Sequence, residues 1–376
     1  MLISQSASFP NADTQAYRIL ELTAICGELP SELFSRLPGS DSYKEAVITS
    51  LKKDRLIRTH YKDRLRAYRL TGKAKEVLRS NNPERFSFYL SGNVDTNRIR
   101  SEVPRRLRLH RIAESYVLMQ NSGVSILRDE KPALFSPEFK REIMFNRPSF
   151  YSSREIKEIG IESVKISGSR MTGTLVCPGG CYVVYNTGSG LMDFDFRAEQ
   201  RTASLLNYLL CNNRLSRYYS SGQVYGLLTG KGMEPLVQIL TSADTGERCF
   251  FLMDGDYPRF CYFTNDTRGE MLMRLLVNPQ KVQMLNHVLS QGLNPKDTGF
   301  PMEHDALDQN GNPVLFGYFL DMPRISRFYT ALQLQNRTGT LICFDYQAEA
   351  IRPVYGQELK IATISYKKFE GSILNR

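Results

Sequence analysis

Leu56-Ile57-Arg58-Thr59-His60-Tyr61, Lys62-Asp63-Arg64, Leu65-Arg66-Ala67-Tyr68-Arg69-Leu70 and Thr71-Gly72-Lys73 form the stretch that decides the fold of the first third of the chain. Two apolar and aromatic runs flank three polar residues, which predicts two strands joined by a short turn. From Leu65 to Leu70 the side chains alternate, with Arg66, Tyr68 and Leu70 on one face and Leu65, Ala67 and Arg69 on the other. Thr71 suits the N-cap of a helix running through Leu78. Upstream the period becomes helical. Ala16, Ile19, Leu20, Thr23 and Ala24 recur at three- and four-residue spacings, and Gly27 suits the stop. Pro30-Ser31 opens a second short helix with Leu33, Phe34 and Leu37 as its apolar face, and Pro38-Gly39 ends it. Ser40 or Asp41 caps a third, in which Tyr43, Val47 and Leu51 mark one buried stripe.

Three short helices, a basic hairpin and a closing helix predict a winged helix-turn-helix over residues 11–80, behind a loose tail over residues 1–10. In that fold the third helix enters the major groove of DNA and the hairpin flanks it along the backbone. With Tyr43, Val47 and Leu51 inward, Lys44, Thr49, Lys52 and Lys53 face outward. Lys44 and Thr49 are then the candidate base-edge readers. Lys52, Lys53, Arg55, Arg58, Lys62, Arg64, Arg66 and Arg69 are the candidate phosphate contacts. The charge agrees. Of a net charge of +10, residues 1–111 hold 21 Lys and Arg against 12 Asp and Glu, whereas residues 112–376 hold 28 against 27. A basic end on a neutral body points to double-stranded DNA, with RNA, a protein partner or a merely solvated surface as the alternatives.

Residues 81–122 read as an Arg-rich linker and helix. Asn81-Asn82-Pro83 breaks the preceding helix, and Arg98, Arg100, Arg105, Arg106, Arg108 and Arg111 crowd around one acid, Glu102. A helix is expected from Arg105 to Met119. The stretch reads either as a second phosphate contact or as an exposed linker and helix face. Residues 123–376 read as a mixed α/β domain without internal repeat, so the fold class is α+β. Strands are expected at Gly173–Cys177, Cys181–Asn186, Leu191–Phe196, Val224–Leu228, Cys249–Met253, Arg259–Phe263, Val314–Leu320 and Thr340–Phe344. Helices are expected at Glu199–Cys211, Arg268–Val277, Pro279–Leu289 and Pro323–Asn336. A long loop is expected over residues 291–312.

Composition narrows the class. With 41% hydrophobic and 23% charged residues the chain is globular. No apolar run approaches the ~20 residues of a membrane span, and Met1-Leu2-Ile3-Ser4-Gln5 lacks a secretion signal. The expected location is therefore cytoplasmic, with no membrane partner. Seven scattered cysteines imply reduced thiols, and Cys177-Pro-Gly-Gly-Cys181 reads as a hairpin turn in preference to half of a zinc site. Thr229-Gly230-Lys231 lacks the spacing of a phosphate-binding loop, and no metalloprotease helix or serine nucleophile elbow is present. Glu303-His304-Asp305 places three neighbours that cannot easily converge on one ion. The strongest catalytic candidates are Asp193, Asp195 and Glu199. A nuclease needs clustered carboxylates to hold a metal, and Asp193 and Asp195 would share a strand face with Glu199 opening the next helix. The carboxylate-x-Lys end is missing, because Phe196 and Arg197 follow Asp195. The plainer reading is an exposed strand face and an acid favouring a helix N-terminus. No metal or other cofactor is implied.

Four segments carry a resemblance. These are Tyr68-Arg69-Leu70-Thr71-Gly72, Leu107-Arg108-Leu109-His110-Arg111-Ile112-Ala113-Glu114, Tyr151-Ser152-Ser153-Arg154-Glu155-Ile156-Lys157 and Tyr185-Asn186-Thr187-Gly188. With the order winged helix, Arg-rich helix, α/β body, the chain resembles the replication-relaxation family of plasmid and conjugative-element proteins. The resemblance implies a DNA-binding accessory factor for replication or transfer, a relaxase or replication protein as partner, and a restriction-endonuclease-like second domain. The leading expectation is a non-enzymatic accessory or regulatory protein. A metal-dependent nuclease with an irregular site and a ligand-responsive transcription regulator are the alternatives. A homodimer would match a two-fold operator, although no coiled-coil heptad supports one.

Overall fold

The computed structural model describes residues 9–132, 147–159, 168–192, 194–212, 223–242, 257–297 and 299–371. The chain is α+β and divides into two compact units, Met1–Asn121 with Ile126–Pro132, and Ser122–Ser125 with Ala133–Arg376. No described helix is long and apolar enough to cross a membrane.

The first unit begins with α1 (Gln15–Cys26), β1 (Glu28–Pro30), the 3-10 helix η1 (Ser31–Arg36) and α2 (Asp41–Lys53). It continues with β2 (Ile57–Lys62), β3 (Leu65–Leu70), α3 (Gly72–Asn81), α4 (Pro83–Leu90) and α5 (Val103–Asn121). Side-chain oxygens start the helices by accepting backbone N–H groups that have no helical partner: Thr14 for α1, Ser40 for α2, Thr71 for α3 and Asn82 for α4. The sheet has the order β1-β3-β2 and is antiparallel throughout. Beneath it Ile19, Leu20, Leu51, Leu56, Ala67, Leu78, Phe86 and Tyr116 are almost wholly withdrawn from water. Burial of each large apolar side chain stabilises the unit by about 1.5–3 kcal/mol.

Residues 81–122 differ from the expected linker. Helices α4 and α5 belong to this unit, with α4 against α1 and α3, and α5 against α1 and β1. Part of the reason is ionic. Arg85 on α4 pairs with Glu21 of α1, with Asp129 at 2.7 Å and with Glu130 at 3.0 Å. Arg106 of α5, fully buried, joins a second cluster centred on Glu28.

The second unit repeats one plan. Its first sheet runs β4 (Ser149–Ser152), β5 (Gly173–Cys177), β6 (Gly180–Gly188), β7 (Val224–Gly230) and β8 (Phe260–Thr264), adjacent in chain order. The first two pairings are antiparallel and the last two parallel. The second sheet runs β9 (Asn294–Pro295), β10 (Ala306–Leu307), β11 (Pro313–Phe316), β12 (Gly339–Phe344) and β13 (Leu359–Ile364), with the same sequence of pairings. Crossover helices occupy equivalent places: α7 (Phe196–Cys211) and α8 (Glu234–Ser242) in the first half, α11 (Met322–Leu334) and α12 (Asp345–Ile351) in the second. Each last strand leads into a helix, α9 (Thr267–Leu276) after β8 and α13 (Tyr366–Phe369) after β13. Two further helices are α6 (Ser153–Ile159) and α10 (Pro279–Leu289). Residues of both halves share one core, including Val183, Tyr185, Tyr262, Leu315, Phe328 and Leu341.

This duplication corrects the expectation of no internal repeat. It is one of topology, carried by hydrophobic patterns whose residues differ between the halves. The expected strand at Leu191–Phe196 is absent among its described residues, because Asp195 caps α7 and Phe196 begins it. The expected loop over 291–312 carries β9 and β10, each two residues long. The expected strand Cys249–Met253 lies outside the described residues. The Cys177–Cys181 segment is the β5–β6 hairpin, and Cys177 and Cys181 are buried free thiols.

Candidate nucleic-acid interface

The β2–β3 hairpin turns on Asp63 and Arg64, with φ of 53° and 60°. Positive φ at both central residues is the two-residue turn whose twist matches that of the strands. Asp tolerates this left-handed conformation better than Arg, so Arg64 is held in a strained backbone. Around it Arg58, Lys62, Arg64 and Arg66 are exposed. Thr49 and Lys53 of α2, and Arg55 just beyond it, are exposed as well. Among the described residues, no ion pair joins any of these six cations to a protein carboxylate. Lys52 is half-buried, its ammonium 5.0 Å from the centre of the Tyr68 ring.

Two expected contacts are corrected. Lys44 is buried, with Nζ 2.8 Å from Asp41 and 3.4 Å from the carbonyls of Ser35 and Leu37. The inner face of α2 is Lys44, Val47, Ile48 and Leu51, and Tyr43 is 51% exposed. The helix is thus turned by about one position from the expected stripe. The stem of Lys44 packs while its charge reaches one carbonyl of η1 and one just after it, an option open to a long amphipathic side chain. Arg69 is buried too, and its Nε donates to Glu28 at 2.6 Å. Neither Lys44 nor Arg69 is placed to meet a phosphate.

Arg69 belongs to the device that sets the hairpin's position. Glu28 faces Arg69 across the β1–β3 ladder. The Glu28 carboxylate also accepts from Arg106 Nε at 2.8 Å and lies 2.7 Å from His110 Nε2. The Arg106 guanidinium continues past it, donating to the carbonyls of Lys62 (2.8 Å) and Leu65 (3.0 Å) on either side of the turn. Burial pushes the Glu28 carboxyl up, but hydrogen bonds from His110 and Arg106 and the charge of Arg69 outweigh it and lower the pKa to about 2. The carboxylate therefore stays ionised between two buried guanidinium groups.

Sequence reading missed Tyr61, 68% exposed and directly opposite Arg66 on the hairpin, and Tyr43, exposed on α2. Their signal was a ring placed beside cations. Of the Arg-rich stretch, Arg98, Arg100, Arg105 and Arg108 are exposed, with Arg105 paired to Glu102 at 2.8 Å.

Of the candidate carboxylates of the second unit, those among the described residues make contacts within the fold. Asp195 caps α7 by accepting from the N–H groups of Arg197 (3.1 Å) and Ala198 (3.3 Å). Glu199, 1% exposed, accepts from Ser169 Oγ (2.8 Å), Arg170 N (2.7 Å) and Tyr185 OH (2.8 Å). Burial raises its pKa. Asp193 lies outside the described residues. Glu303 and Asp305 hold Arg324, at 2.6 and 2.7 Å, while His304 contacts the backbone of Met302 and Asp297. No cluster of three or more metal-ligating side chains occurs among the described residues. Comparison of the chain with protein-family models, curated proteins and solved structures gives no significant match.

Proposed function

We propose that the first unit is a winged helix-turn-helix that binds duplex DNA, and that the chain is a DNA-binding accessory or regulatory protein. The order α1–β1–η1–α2–β2–β3 with β3 central in the sheet supports the winged-helix reading, with α2 offered to the major groove and the hairpin as the wing. The observation that carries the DNA reading is the set Lys53, Arg55, Arg58, Lys62, Arg64 and Arg66, six exposed cations that have no carboxylate partner among the described residues. A helix end and an adjoining hairpin present them together, as a polyanion requires. Thr49 remains the candidate base reader, joined by the exposed Tyr43. Through its resemblance to the replication-relaxation family, the chain is further assigned to replication or transfer of a mobile element, with the second unit contacting a relaxase or replication protein.

A salt titration of binding to duplex fragments tests the reading. Six phosphate contacts give a slope of log K against log salt near −5, so affinity falls about 10³-fold from 50 to 200 mM. No binding at 50 mM salt, or binding indifferent to salt, removes the proposal.

Arg64 offers a sharper discrimination. Arg64→Gly relieves the left-handed strain and is expected to stabilise the protein by about 1 kcal/mol. The same change removes one phosphate contact and is expected to weaken duplex binding about 5–10-fold at 0.1 M salt. Thermal melts and titrations of the one variant read both signs. A loss of stability, or unchanged binding, contradicts the role assigned to the turn.

A further inference from the structure

The duplicated halves of the second unit bring equivalent strand ends to one cleft. Met233 follows β7, Arg268 lies in α9 after β8, Asp345 opens α12 after β12, and Tyr366 and Lys367 open α13 after β13. All five line a single open cleft of about 580 Å³, together with Tyr346 and Glu349 of α12. Helices α8 and α12, equivalent in the two halves, pack on one another beside it. The carboxyl ends of parallel strands are where open α/β sheets hold ligands, because the chain leaves the sheet there and side chains from separate crossovers converge. The volume lies within the range of small-molecule sites.

The lining narrows the ligand. Arg268 and Lys367 contribute one cation from each half, in corresponding places. Two carboxylates, Asp345 and Glu349, stand in the same cleft, yet among the described residues no ion pair joins either cation to a carboxylate. Asp345 is held by accepting from the backbone N–H groups of Tyr346 (2.9 Å) and Tyr366 (3.3 Å). The guanidinium carbon of Arg268 lies 4.7 Å from the centre of the Tyr346 ring, which holds the charged end against the wall. Tyr366 is half-buried, its ring edge-on to those of Phe344 and Tyr346. A bare anion would meet the cations but be repelled by the carboxylates. A ligand that suits the whole lining carries an anionic group, hydrogen-bond donors and a flat face.

We propose that this cleft binds a nucleotide. Arg268 and Lys367 receive the phosphate, Glu349 accepts from sugar hydroxyls or an exocyclic amine, and the base lies against Tyr366. This site is separate from the basic hairpin and does not depend on the DNA reading.

Isothermal titration of the full chain with AMP, GMP, CMP and UMP tests it, with adenosine and guanosine as nucleoside controls and inorganic phosphate as the anion control. At least one nucleotide is expected to bind with a micromolar Kd, and its nucleoside and phosphate about ten-fold or more weakly. Arg268→Gln and Lys367→Gln are each expected to weaken it about ten-fold, and Lys360→Gln, outside the cleft, to leave it unchanged. Both cleft side chains are exposed, so the variants should fold, and circular dichroism with thermal melts checks this. The proposal is overturned if no nucleotide binds below about 1 mM, if phosphate binds as well as the nucleotide, or if binding is indifferent to both substitutions.

Discussion

Glu28→Ala is expected to cost the first unit about 3–5 kcal/mol, enough to leave much of it unfolded at neutral pH. The change removes the one carboxylate that Arg69 and Arg106 share, and both guanidinium groups are buried. An uncompensated buried charge is far more costly than the absence of the whole pair. Hydrogen exchange followed by mass spectrometry on peptides from residues 15–121 localises the effect. A triple variant, Glu28→Met/Arg69→Met/Arg106→Met, removes the orphan charges and is expected to recover part of the loss. Exchange in Glu28→Ala indistinguishable from wild type would show that the cluster is dispensable. The same group gives a pH signature. A carboxyl whose folded pKa lies at about 2, against 4.5 ordinarily, stabilises fully above pH 4.5 and loses that contribution as pH falls toward 2. Glu21, whose pKa burial raises in spite of the neighbouring Arg85, acts in the opposite sense. Acid melts of wild type should therefore lose stability across that window, and Glu28→Gln should flatten the slope.

Replacement of Arg58, Lys62, Arg64 and Arg66 together by glutamine is expected to lower duplex affinity about 10³–10⁴-fold at 0.1 M salt. It should also make the salt slope shallower by about 3–4. Each phosphate left without its cation keeps about 0.9 of a counterion that binding would have released, which at 0.1 M is worth nearly ten-fold. The four side chains are exposed and make no ion pair among the described residues, so the fold should survive and the melting temperature should move little. Arg69→Gln behaves otherwise: its effect acts through stability, since it faces Glu28 and not solvent. Fluorescence anisotropy with a labelled duplex measures both numbers. An unchanged slope in the quadruple variant would place the phosphate contacts elsewhere, the exposed Arg98, Arg100 and Arg108 being the next set.

Local signals were read well where the residues that decide an element lie within it. The hairpin strands, the Thr71 cap and helix α10 follow from alternation, turn composition and capping chemistry over a few residues. What escaped depended on distant partners. Arg69 and Arg106 look like phosphate contacts until Glu28, 41 and 78 residues away, comes between them. Strand β1 is three residues long and carries no period, and its pairing with β3 alone makes it a strand. Lys44 reads as polar on any scale, yet its four-carbon stem turns the buried face of α2 by one position. Helix α12 and strand β13 follow what looked like the close of the domain, because β13 is half-exposed with an irregular pattern.

The repeated plan of the second unit has a consequence for symmetry. Two identical subunits meeting about a dyad must present the same residues on both walls of the space between them. Two modules fused in one chain escape that constraint. Arg268 stands where its counterpart is Lys367, and the stretch that opens α8 with Met233 and Glu234 is answered by Asp345 and Tyr346 in α12. Each wall can then change alone, so the space between them can become handed and fit a partner that has no two-fold axis of its own.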